Sequence, residues 1–265
     1  MKTENMLRIS LWDDHRLKAL GAALESEETE VVFADRLQCE KRLLSGLTDL
    51  AMIPSHRALA AAEDFEVLPA VAYSSWCTPH ALISLRGGFA EKADTIQVPD
   101  VGSVESLVAR VVLKEHYGLS VTVGLLETAA ALSDHAAVLA VDEPAPAHDG
   151  LVLDLGQEWF ELTNYPMVWG LFLMRKGELD ARTIRILRDG VSSIETADHL
   201  DGTDPGADGL ALPRLRLDDL AVASLTELAT YLYYYGVTKD IEEVTLGELP
   251  EDSFVGDDDG REPLL

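Results

Sequence analysis

Side chains able to hold a small anion or move a proton recur in this chain just beyond apolar runs. Asp13-Asp14-His15-Arg16 follows MLRISLW, Ser55 follows DLAMIP, and Ser74, Ser75 and Thr78 follow FEVLPAVAY. Ser103 and Ser106 open an amphipathic stretch, and Thr163-Asn164 stands in a turn ahead of Pro166. Hydroxyls and amides donate and accept, whereas an ionised carboxylate only accepts. Such a set suits recognition of a carboxylate and general acid–base work. Ser55 and Ser103 each stand where a helix is expected to begin, and there the exposed N–H groups and the helix dipole favour an anion. A serine at such a position is as readily a plain helix cap, and both readings stay open.

Metal and cofactor signatures are missing. There is no H-E-x-x-H, no cysteine–histidine pair at metal spacing, and no G-x-S-x-G, P-loop or G-x-G-x-x-G. Asp198, Asp201, Asp204 and Asp208 lack the spacing of a calcium-binding loop and read as a solvated acidic stretch. His15, His56 and His80 are candidate pocket residues or simple surface groups. Cys39 and Cys77 are far apart and form no disulfide framework; Cys77 has no base paired with it and reads as a lining or buried thiol. Neither a metal nor a cofactor is expected.

The elements that must carry these residues alternate. Residues 6–12 and 30–34 read as strands, 17–25 and 37–47 as helices, and 49–55 as a third strand followed by a helix at 56–62. Strand, helix, strand, helix, strand is the signature of a parallel sheet. Runs at 65–73 and 80–86 are two further strands, and Gly87-Gly88 then breaks the pattern. Residues 95–98, 120–125 and 136–141 are strands, the last two joined by 126–133. The helix at 103–117 has apolar residues at Val104, Leu107, Val108, Val111 and Val112 and closes at Gly118. After residue 175 the pattern is helical, at 179–188 and 217–235. A Gly-, Pro- and Asp-rich loop lies between them at 197–213, and an acidic tail at 251–261.

Residues 151–176, LVLDLGQEWFELTNYPMVWGLFLMRK, tie the pattern together. A short buried strand leads into a polar corner, in which 157–162 is too polar and bulky for a central strand and Pro166 sets a turn. Residues 167–174 are apolar on both faces, as a strand covered by two layers should be. Ligands of α/β proteins bind at corners of this kind, outside the strand ends.

The same stretch resembles the D-L-G-x-x-W…T-G-L-P-F-V-F-A-x-W segment of the chorismate dehydratases of the futalosine route to menaquinone. Asp154-Leu155-Gly156, Trp159, Thr163, Pro166 and Val168 match, and Asn164 and Tyr165 replace the usual Gly and Leu. Asp49, Ala51, Pro54 and Ser55 are similar to that family's D-x-A-L-x-P-S. Ser75 falls on the first Ser of its S-x-G-P-V-x-S-V loop, with Cys77 and Ala81 in place of a Gly and a Ser. Gly102 to Ser106 partly matches S-S-x-T-S, and Trp12 to Leu17 aligns with Y-L-N-x-x-P-L, which puts Asp14 on an Asn thought to act in catalysis.

The resemblance implies a two-lobed α/β fold of the type II periplasmic-binding-protein kind, with a ligand cleft between the lobes. Lobe 1 would be residues 1–86 with 175–265, and lobe 2 residues 87–174. The resemblance further implies catalytic roles for Asp14 and Ser75, and substrate binding by Ser55, Ser74, Ser103, Ser106, Thr163 and Asn164. The implied activity is that of a hydro-lyase turning chorismate into 3-[(1-carboxyvinyl)oxy]benzoate and water, with no cofactor. An ionised Asp14 cannot donate as Asn does, and Glu105 beside the two serines would oppose a carboxylate. A second reading is therefore a cytoplasmic binding protein of the same fold that holds a small carboxylate without turning it over. The sister enzyme dihydroxynaphthoate synthase is a third.

Composition narrows the partners. The chain carries 47 acidic against 21 basic residues, a net charge of −26. A surface this acidic repels nucleic acid and anionic membranes, so neither is expected as a partner. The acids are spread along the chain, which suits adaptation to a salty cytoplasm better than one dedicated basic partner. The opening residues, MKTENMLRISLWDD, contain no apolar leader segment, and no run has the length of a membrane span. A cytoplasmic monomer or homodimer is expected.

Overall fold

A computed structural model describes residues 6–61, 63–89, 93–127, 135–143, 150–200, 213–241 and 243–248, with the backbone alone for 195–200. In chain order the elements are β1 (Leu7–Trp12), α1 (Lys18–Leu24), β2 (Thr29–Ala34), α2 (Arg36–Leu44), β3 (Leu50–Pro54), α3 (Ser55–Ala60), β4 (Phe65–Ser75), β5 (Ala81–Leu85) and β6 (Thr95–Val98). There follow α4 (Val104–Val111), β7 (Thr122–Leu125), β8 (Ala137–Val141), β9 (Leu151–Asp154), α5 (Leu155–Thr163), β10 (Met167–Arg175), α6 (Ala181–Leu200), β11 (Arg214–Leu217) and α7 (Asp219–Tyr234). The described residues divide into two compact units: 6–74, 168–200 and 213–248 in unit 1, and 75–167 in unit 2.

Unit 1 is built on a six-stranded sheet in the order β11-β4-β10-β3-β1-β2. β1 pairs in parallel with β2 and β3, as strands joined by helical crossovers do. β10 runs antiparallel to β3, and β11 antiparallel to β4. Met167 to Met174 is buried at every position, which is why its sequence shows no alternation. Trp12 ends β1 with its indole N–H donating to the Met52 carbonyl at 2.8 Å and its ring edge-on to Tyr73 at 5.9 Å. A Cβ at Gly170 would lie 2.6 Å from that indole. Glycine in β10 thus gives Trp12 its place, and Trp12 anchors the strand end from which Asp13 and Asp14 leave. At the other end, Asp49 accepts from the backbone N–H of Arg8 at 2.8 Å and from its guanidinium at 2.6 and 3.1 Å, tying the start of β3 to β1.

Unit 2 has a five-stranded sheet in the order β7-β6-β8-β5-β9. β5 is antiparallel to β8 and β9, whereas β6 is parallel to β7 and β8. α4 buries Val104, Leu107, Val108 and Val111, the stripe expected from the sequence. It then opens into a π-helical turn, Val112–His116, and the chain leaves through Gly118 at φ +71°. α5 packs on both α4 and that π-turn.

Three expectations are corrected. Residues 155–163 form a helix, because Asp154 caps it and its apolar residues, Leu155 and Trp159, recur at helical spacing on one buried face. The stretch before α7 is a strand, β11, too short and too charged to signal itself in the sequence. The expected boundaries at 86/87 and 174/175 lie one strand away from the divisions at Ser74/Ser75 and Met167/Val168. β5 belongs to the sheet of unit 2 and β10 to that of unit 1, and Gly87-Gly88 is only a turn after β5. Most of the link expected at 126–133, the part of the 197–213 loop beyond Leu200 apart from Pro213, and the acidic tail at 251–261 lie outside the described residues.

Candidate functional site

Unit 1 carries Asp14, Ser55 and Ser74, each at the C-terminal end of a strand. Asp14 accepts the backbone N–H of Arg16 at 2.9 Å and so starts the 3-10 turn His15–Leu17. Arg16 folds back on the same carboxylate, with Nε 2.7 Å from Oδ1 and Nη2 2.5 Å from Oδ2. The two side chains are 9 % and 11 % exposed. A two-pronged, largely desolvated pair of this kind is strong and directional. Asp14 is therefore engaged at both oxygens. His15, with its side chain 84 % exposed, is a surface group.

Ser55 is not the cap of α3. Pro54 occupies that position, and Ser55 is the first helical residue. Its hydroxyl is fully buried without a hydrogen-bond partner among the described residues. An unsatisfied buried hydroxyl costs about 1–3 kcal/mol, which distinguishes Ser55 from the other serines of the set. His56 beside it is buried. Ser74 donates to the Arg214 carbonyl at 3.5 Å, joining β4 to β11.

Unit 2 gathers Ser75, Thr78 and Asp154 into one network. The Ser75 and Thr78 hydroxyls are 3.0 Å apart and buried. The Thr78 backbone N–H donates to both Asp154 oxygens, at 2.6 and 2.8 Å, and Asp154 Oδ1 also accepts from the N–H of Gln157 at 3.0 Å. One carboxylate thus caps α5 and fastens the 76–79 loop to it. Burial raises the Asp154 carboxyl above the ordinary range, and the backbone donors draw it partly back. A Cβ at Gly156 would lie 2.2 Å from Thr78 Oγ1 and 3.0 Å from the backbone of Cys77 and Thr78. The D-L-G triplet is accordingly a docking surface for that loop: cap, buried anchor, and a bare backbone.

The remaining predicted residues serve helix ends. Thr163 donates to the Trp159 carbonyl at 2.8 Å and accepts from the Tyr165 N–H at 3.2 Å. Asn164 closes α5 in the left-handed region, φ +65°, where Gly is the common residue and Asn the usual substitute. Ser103 caps α4 by accepting from the Ser106 N–H at 3.1 Å, and both hydroxyls contact the Asp100 carbonyl. Glu105 is buried on α4. Thr163, Ser103 and Ser106 thus use their hydroxyls in hydrogen bonds at helix ends, and Asn164 closes α5. Burial, helped by the charge of Asp154, pushes the Cys77 thiol up, away from the thiolate a nucleophile needs. Cys39 is buried and pushed up to about 12.

Two features went unread in the sequence. The Arg16 clamp involves residues two apart, with no motif to advertise it. Among the described residues, His116, Glu158 and Glu161 form a group whose ligating atoms all lie within 4.8 Å. The two acids are neighbours only because 155–163 is a helix, which their polar surroundings in the sequence do not announce.

Known proteins share the architecture. Protein AF1704 from Archaeoglobus fulgidus superposes with a TM-score of 0.64 at 15% identity, covering 90% of this chain and all of that one. The alkanesulfonate-binding protein SsuA from Xanthomonas axonopodis pv. citri, bound to MOPS, gives 0.56 at 19% identity over 90% and 96% of the two chains. The CA3427 gene product of Candida albicans, described as having the generic periplasmic binding protein fold, gives 0.54 at 15% identity over 93% and 99%. The fold is thus a periplasmic-binding-protein-like α/β fold. No match is found among curated proteins. The family model described as menaquinone biosynthesis matches residues 7–201, about three quarters of the sequence, and the chain belongs to that family.

Proposed function

We propose that the protein is a chorismate dehydratase acting in menaquinone biosynthesis. The observation that carries the reading is the match of the menaquinone biosynthesis family over residues 7–201, which includes the capped, loop-docking segment Asp154 to Thr163. In the proposed reaction a ring proton and the ring hydroxyl leave chorismate as water, and the ring becomes aromatic. Aromatisation supplies the driving force, so the protein mainly orients the ring and assists the two departures. On this reading the buried Ser55 hydroxyl meets a substrate carboxylate. Arg16, held rigid by Asp14, supplies positive charge near the strand end, which a dianionic substrate needs on a protein of net charge −26. Asp14 then orients Arg16 more than it abstracts a proton. No cofactor enters, and a cytoplasmic location belongs to the same proposal.

A second reading is favoured by the same clamp. A carboxylate bound at both oxygens by Arg16 offers no free base, as in a protein that binds a small carboxylate without turning it over. Incubation of the purified chain with chorismate in high salt, followed by chromatography and calorimetry, separates the two. Formation of 3-[(1-carboxyvinyl)oxy]benzoate supports the dehydratase. Saturable binding of unchanged chorismate sinks it in favour of the binding protein.

A further inference from the structure

α5 in unit 2 carries Glu158 and Glu161, three residues apart and therefore neighbours on one side of the helix. His116, the last residue of the π-helical turn, meets them, with Nε2 3.8 Å from Glu161 Oε2. Glu158 is 5 % exposed, whereas the side chains of His116 and Glu161 are 26 % and 44 % exposed. Each carboxylate is steadied from behind. Tyr117 donates its hydroxyl to Glu158 Oε2 at 2.5 Å, and the Gln157 side-chain amide donates to Glu161 Oε1 at 3.0 Å. Tyr117 is itself stacked on Phe89 at 4.5 Å, which fixes its ring.

Placing a buried carboxylate beside a second one is costly unless a cation lies between them. His116 is a basic side chain that both acids face, and nearby Lys114 lies 3.3 Å from Glu115. One imidazole nitrogen and two carboxylate oxygens, each carboxylate braced by a further hydrogen bond, make a donor set that suits a borderline divalent ion. Ligands about 2.0–2.2 Å from one ion at tetrahedral angles lie roughly 3.3–3.6 Å apart. His116 Nε2 and Glu161 Oε2 are already at 3.8 Å, and a group within 4.8 Å closes on an ion by side-chain shifts of about an ångström.

We propose that His116, Glu158 and Glu161 form a binding site for a divalent transition-metal ion of the zinc class, fastening α5 to the π-turn. The ion takes no part in the proposed dehydration. It stabilises the helix whose first turn docks the Ser75–Thr78 loop.

The probe is zinc itself, added to the full chain after chelator treatment and dialysis. Buffers contain about 1 M salt and millimolar Mg2+, so that loose attraction to the acidic surface is screened and competed. Calorimetry should show one saturable zinc site. Zinc at about 100 times its dissociation constant should raise Tm by several degrees. His116→Ala and Glu161→Gln, both at partly exposed positions, should keep the zinc-free Tm close to wild type and weaken zinc at least about tenfold. Absence of saturable binding overturns the site, and so does equal affinity or an equal Tm shift in the variants. None of these readouts depends on turnover, so failure of the dehydratase reading leaves this test intact.

Discussion

Thr78 and Gly156 are in van der Waals register only because Gly156 lacks a side chain: a Cβ there would stand 2.2 Å from Thr78 Oγ1. The other neighbours are backbone atoms of Cys77 and Thr78, which cannot swing aside, and the Thr78 N–H is already held by Asp154. Gly156→Ala should therefore push the loop off α5 and cost about 1–3 kcal/mol, the usual penalty for overpacking. An unfolding Tm within a degree of wild type would show that the loop yields freely.

The Asp154 carboxyl, raised by burial, binds its proton more readily folded than unfolded. Such a group adds stability that is fully present below its unfolded value, about 3.9, and is lost as pH rises through its folded value. Asp154→Asn removes this titration along with part of the cap. The wild-type advantage in Tm over Asp154→Asn should thus widen as pH falls from 7 towards 4. An advantage that narrows on acidification would mean that the backbone donors outweigh the burial.

Asn164 holds φ at +65° on the last turn of α5. Substitution by Ala should cost about 1 kcal/mol and by Val more, while Gly should be neutral or slightly stabilising. Equal Tm values for Gly and Val would remove the conformational account of this position.

Much of the fold was legible because it rests on periodicity. β1 to β3 with their helices, the stripe of α4 and the unbroken apolar run of β10 each bury a pattern visible in the sequence. What escaped was local chemistry. Glu158, Glu161 and Gln157 give 157–162 the character of a polar corner, and the Asp154 cap makes it a helix, while Arg214 to Leu217 is a strand only because β4 offers an edge. The candidate serines were chosen by their place after strands and before helices, but sequence cannot separate a hydroxyl spent on a helix cap, such as that of Ser103, from one such as that of Ser55, which has no hydrogen-bond partner among the described residues.

The net charge of −26 should make stability depend on salt. At about 1 M the Debye length falls to roughly 3 Å, so repulsion between distant carboxylates vanishes while close pairs such as Arg8–Asp49 survive. Tm should rise steeply between low and molar NaCl. A flat profile would remove the case for salt adaptation.

The Asp14–Arg16 pair offers the sharpest test of the proposed chemistry. Asp14→Ala takes the two-pronged carboxylate from a guanidinium that is 11 % exposed, and removing one partner of a mostly buried pair costs about 3 kcal/mol. Removing both, as Asp14→Ala with Arg16→Met, should cost less than the two single changes together, since no charge is left unpaired. Asp14→Asn keeps an acceptor for the Arg16 backbone N–H and for Nε, so the guanidinium stays nearly in place. If Asp14 only orients Arg16, Asp14→Asn should retain chorismate turnover within about tenfold, a barrier change near 1.4 kcal/mol, whereas Arg16→Ala should lose substrate binding. If Asp14 is the base, Asp14→Asn should bind chorismate normally, melt like wild type and give no product. That outcome would return the proton transfer to Asp14 and leave Arg16 with the lesser part.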